Sequence, residues 1–103
     1  MNATFSIRDE FGSHLADGTK AAYFRMTKVD AYVDIAPEIT LDFTGVRNAN
    51  SSFINALVAG LIEQHGLKVL EKVVFKGCNP AIQVLIEAAV DLGASKVTAP
   101  ANA

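Results

Sequence analysis

The chain has 103 residues, half of them apolar and 19% charged, with a net charge of −2. That is the length and balance of one globular domain, far from the disordered regime and large enough to fold without metals or disulfides. Nine Lys and Arg stand against eleven Asp and Glu. No two basic residues are adjacent, so no basic face is available to displace counterions from phosphates, and nucleic acid is not an expected partner.

The first nine residues lack the basic start and apolar run of a signal peptide. The longest apolar run, residues 56–62, is far short of the roughly 20 residues a spanning helix needs. The one cysteine, Cys78, permits no intrachain disulfide and suits a reducing compartment. A cytoplasmic protein with no membrane association is expected.

Residues 4–7 alternate polar and apolar, the period of a half-buried strand. Residues 11–14 read as a turn. From Asp17 or Gly18 the pattern becomes helical, with Asp17 as cap and Ala22, Met26, Val29 and Val33 on one face. Pro37 ends this helix, because the residue before a proline avoids helical geometry. Residues 38–43 alternate, placing Ile39, Leu41 and Phe43 on the buried side of a strand. A loop over residues 44–50 follows. Ser51 or Ser52 can then cap a second helix that runs to about His65 and stops at Gly66.

This second helix has only Asn55 as a polar residue between Phe53 and Ile62. A surface helix shows one apolar stripe, whereas this one is apolar nearly all round. Burial between the sheet and a neighbouring helix explains that; a surface for a partner or a second copy is the alternative. Residues 67–71 are ambiguous, and residues 72–76 read as a strand. Asn79 suits the cap of a third helix and Pro80 its first position. That helix runs to about Leu92, with Ile82, Leu85, Ile86 and Ala89 as its apolar stripe and Gly93 as its stop. The expected organisation is one domain over residues 1–94 and a flexible tail over residues 95–103.

Strands alternating with helices predict an α/β domain: a mixed, mainly parallel sheet of three to five strands, right-handed crossovers and three main helices. Val29, Val33, Leu41, Phe43, Leu57, Leu61, Val74, Leu85 and Ile86 are the expected core.

Chemical signatures are sparse. No phosphate-binding glycine loop of the Rossmann or P-loop kind is present, and His14 and His65 have no neighbours at metal-ligand spacing. Cys78 lies between a strand and a helix, where a thiol is either structural or reactive. Asp42 stands at the carboxyl end of a strand, either steadying the next loop or taking part in a site. No second acid or base accompanies it, so neither a catalytic activity nor a cofactor or metal is expected. A small enzyme using Cys78 or Asp42 is the minor alternative. Ser51 and Ser52 open a helix after a strand and a loop. A hydroxyl there can cap the helix or accept a phosphoryl group, since unpaired N–H groups and the helix dipole favour an anion.

Taken together, residues 39–46 (Ile-Thr-Leu-Asp-Phe-Thr-Gly-Val), Ser51-Ser52-Phe53, residues 71–75 and Asn79-Pro80-Ala81-Ile82 resemble the STAS-like domain of unknown function. The resemblance covers about residues 11–93. That family is similar in turn to the anti-sigma factor antagonists, which carry Asp-Ser-[Ser/Thr]-Gly at this strand-loop-helix junction. The first serine there is phosphorylated by an anti-sigma kinase of the histidine-kinase-like ATPase fold. Matched to that motif, Ser51 is the implied phosphoacceptor with Ser52 beside it, while Asn50 stands in place of the acid and Phe53 in place of the glycine. The resemblance implies a bacterial, non-enzymatic partner-switching regulator. Its contact surface is Asn48, Asn50, Ser51, Ser52 and Phe53, and its partner is a histidine-kinase-like ATPase or anti-sigma factor.

Overall fold

The computed structural model describes residues 2–98. In chain order these are β1 (Ala3–Ser6), α1 (Ile7–Phe11), β2 (His14–Leu15), α2 (residues 18–33), β3 (Ile39–Asp42), β4 (Asn48–Ala49), α3 (residues 51–65), a 3₁₀ turn (Leu67–Glu71), β5 (Val73–Lys76) and α4 (Pro80–Thr98).

The three strands expected from the sequence form one sheet in the order β1-β3-β5, parallel throughout. A second, two-stranded parallel sheet joins β2 to β4. The register explains which side chains go inside. Ala3, Ile39 and Val73 lie abreast, as do Phe5, Leu41 and Phe75. These two rows face the helices, and Ile39, Leu41 and Phe43 of the central strand region are fully buried. The intervening rows are Thr4, Thr40 and Val74, then Ser6, Asp42 and Lys76. Val74 therefore points away from the core and is 41% exposed, a correction to its expected place. Leu85 is half-buried; the other expected core residues are buried.

The opening strand lies one residue earlier than its pattern suggests, at Ala3–Ser6. Ile7 begins α1 instead, with Ser6 Oγ accepting the Asp9 N–H at 3.2 Å. Gly12 closes this short helix at φ 87°, a left-handed backbone that suits glycine. Asp17 caps α2 as expected, its Oδ1 accepting the N–H groups of Thr19 and Lys20 at 3.0 and 3.2 Å. The predicted face is half right. Val29 and Val33 are buried, but Met26 is 57% exposed, and Ala21 and Phe24 face inward instead. The cause is a π turn at Arg25–Val29. It inserts one residue, so the α-helical spacing that links 22 and 26 to 29 and 33 breaks across it.

A second π turn, Asn55–Ala59, interrupts α3. That helix is central. Phe53, Ile54, Leu57, Val58, Ala59, Leu61 and Ile62 are all buried, and it packs against both α2 and α4. Burial within the chain thus accounts for its apolar girth. It keeps no large exposed apolar side chain to offer a partner or a second copy.

Asn79 caps α4, accepting the Ile82 N–H at 2.9 Å, and Pro80 is its first residue. Gly93 does not stop the helix. It is the point where α4 crosses α3: a Cβ there would come 2.9 Å from Ile62 Cβ and 3.2 Å from Ala59 Cα. Residues 95–98, expected as tail, continue the helix. The rest of the expected tail, 99–103, lies outside the described residues.

Candidate functional site

The strand-loop-helix junction after β3 is built by side-chain amides. Asn50 N–H donates to Leu15 O at 2.9 Å and Asn50 Nδ2 donates to Ala16 O at 2.9 Å. Its Oδ1 accepts the Phe53 N–H at 2.9 Å. Asn50, not Ser51 or Ser52, is therefore the cap of α3, a correction with a simple cause. An asparagine caps as well as a serine, and here it also ties the helix start to the chain leaving β2. From the other side of the loop, Asn79 Nδ2 donates to Arg47 O at 2.9 Å.

Ser51 and Ser52 are left as the first two residues of the helix, both exposed. Among the described residues neither hydroxyl has a hydrogen-bond partner. Ser52 sits against the first residue of α2, where a Cβ at Gly18 would be 2.5 Å from Ser52 Oγ. The capped starts of α2 and α3 thus lie side by side, both presenting positive dipole ends. Asn48 is exposed in β4, with Oδ1 2.8 Å from His14 Nδ1. Phe53, by contrast, is 1% exposed and stacks edge-on against Phe11 with ring centroids 4.8 Å apart. It supports this surface from beneath and does not form part of it.

A cleft of about 680 Å³ adjoins the junction, between α1, β2 and the first half of α2. Phe11, Phe24 and Phe53 line it, with Lys20, Tyr23 and Lys28 at its rim. Its walls come from residues 10–28, closed by Phe53 of α3.

The two alternative catalytic residues occupy the carboxyl edge of the sheet. Hydrogen bonds from Thr44 to Asp42, side chain and backbone, hold its carboxyl below the usual carboxylate range. Lys76 adds to this, while partial desolvation works against it. Burial pushes the Cys78 thiol up, and the charge of Asp42 raises it further. A raised thiol is less ionised near neutrality, and a lowered carboxyl is a poor proton donor. His65 is not near either group. Its Nε2 lies 2.8 Å from Asp30 Oδ1, which joins it to Arg25 through the same carboxylate. The sequence reading missed this cluster, since Arg25 and Asp30 are five apart and His65 is remote. Among the described residues no three His, Cys, Asp or Glu side chains converge to hold a metal, and no helix is long and apolar enough to cross a membrane.

The molecule is thus a parallel α/β domain whose second long helix begins at an Asn-Ser-Ser junction. The chain belongs to the family described as the STAS-like domain of unknown function (DUF4325), whose model matches residues 20–83. No curated protein and no solved structure matches it.

Proposed function

We propose that the chain is a non-enzymatic regulatory module that binds a partner protein through β4 and the start of α3, and is switched by phosphorylation of Ser51. The observation that carries this reading is the division of labour at the junction. Asn50 performs the capping, so the exposed Ser51 hydroxyl has no structural duty. Asn48, Asn50, Ser51 and Ser52 form the contact surface, and Phe53 is the packed support below it. The likeness of this junction to that of anti-sigma factor antagonists supports a histidine-kinase-like ATPase or anti-sigma factor as the partner.

The electrostatics suit a switch. A phosphate on Ser51 adds about −1.5 to −2 charges. It would lie at a helix start, where the dipole and unpaired N–H groups tolerate an anion. The fold would survive while a close-packed interface would not. The directions in which Asp42 and Cys78 titrate support a role without turnover.

Phosphopeptide mapping tests this reading. The protein is recovered from its own cells in growth, stationary phase and stress, with Ser51→Ala as control. The expected result is a phosphate on Ser51 that varies with condition and disappears in the variant. Unmodified peptide in all three states would contradict it.

A further inference from the structure

Each of the two long central helices carries one π turn, and one side chain spans both. A π turn inserts a residue and takes a backbone carbonyl away from its usual i+4 donor. In α3 the Gly60 N–H, which a regular helix would give to Ala56 O, goes to Asn55 O and Leu57 O. Ala56 O accepts Arg25 Nε–H instead, at 3.1 Å. Arg25 is the first residue of the π turn in α2.

The guanidinium is aimed from behind. Arg25 Nη1 donates to Asp30 Oδ2 at 2.9 Å, and Asp30 directly follows the same π turn. The other oxygen of Asp30 meets His65 Nε2, at the far end of α3, at 2.8 Å. All three side chains are largely covered, at 12%, 18% and 16% exposure. Gly60 leaves the space, since a Cβ there would fall 2.5 Å from Arg25 Nε.

We propose that Arg25 is a latch, a positioning residue that holds α3 in its π register and thereby fixes where Ser51 and Ser52 are presented. Without the guanidinium, Ala56 O is satisfied inside the helix only by recovering the Gly60 N–H, and that expels the inserted residue. The stretch before it then turns by about 100° and slides about 1.5 Å relative to residues 60–65. Its start is tied to Leu15 O and Ala16 O through Asn50, so the change pulls on the junction itself. The latch stands apart from the proposed contact face; only its consequence for Ser51 rests on that reading.

Through-hydrogen-bond NMR couplings of the full chain read the register directly. In the wild type the Gly60 nitrogen couples to the Asn55 carbonyl carbon. In Arg25→Met the coupling moves to the Ala56 carbonyl carbon. Arg25→Leu likewise offers no donor to Ala56 O, so it moves the coupling too and decides the matter if Arg25→Met does not fold. Loss of packing alone lowers the melting temperature without changing the coupled pair. A folded variant that keeps the coupling to Asn55 overturns the latch.

Discussion

The Oδ1 of Asn50 accepts the Phe53 N–H at 2.9 Å, and this bond gives the capping of α3 to the asparagine. The asparagine holds the helix and the serines beside it do not. Asn50→Ala should therefore cost about 0.5–2 kcal/mol of stability, the usual range for a lost cap. Ser51→Ala should stay within about 0.5 kcal/mol of wild type, as a surface change does. Urea melts of the two variants check this. Equal losses would return the cap to the serine.

The sheet register makes a second contrast. Leu41 is fully buried while Val74 is 41% exposed, although both sit in strands of the same sheet. Leu41→Ala should cost roughly 2–5 kcal/mol, the range for a buried leucine, and Val74→Ala less than about 1 kcal/mol, since little buried volume is removed. Comparable losses would place Val74 on the wrong face.

Gly93 offers a test of sign. In an exposed helix interior, Gly→Ala stabilises by about 1 kcal/mol. Here the added Cβ meets Ile62 Cβ at 2.9 Å and Ala59 Cα at 3.2 Å. Gly93→Ala should therefore destabilise, with overpacking of about 1–3 kcal/mol outweighing the propensity gain. A rise in melting temperature would mean that α3 and α4 are looser than their spacing indicates.

The carboxyl edge of the sheet predicts a pH response. The Asp42 carboxyl is held low by its bonds with Thr44. Its contribution is therefore fully present above the ordinary carboxylate range and is lost as pH falls through the lowered value. Asp42→Asn lacks this dependence, so the stability gap between it and the wild type should narrow on acidification. A gap that is constant with pH would contradict the Thr44 bonds. At the other end of the scale, Cys78 should alkylate with a midpoint above that of a free cysteine in a peptide, because burial raises it.

How legible was all this in the sequence? The alternation of residues 38–43 marked the central strand, because one buried face imposes a period of two. The caps Asp17 and Asn79 were legible for a local reason: each bonds to N–H groups two or three residues on. Failures came where a second segment decides. Met26 left the core because a π turn shifted the helical phase. Gly93 has the local pattern of a helix stop, but its close packing is with α3, about thirty residues away in the chain. The start of α3 was located correctly, but its cap was assigned to the serines. The capping bond of Asn50 to Phe53 is as local as those of Asp17 and Asn79, but two serines beside it suit a cap equally well, and the bonds that favour Asn50 reach back to Leu15 and Ala16.

Binding measured on three forms of the full chain tests the partner-switch account most directly. Wild type, Ser51→Ala and Ser51→Asp serve as baits in lysate from the cells that make the protein, with captured proteins quantified by mass spectrometry and melting recorded alongside. The account predicts that wild type and Ser51→Ala enrich the same histidine-kinase-like ATPase or anti-sigma factor. It predicts that Ser51→Asp loses that partner while melting close to wild type. Equal capture of that partner by all three folded forms, or no protein of that class with any of them, would contradict it.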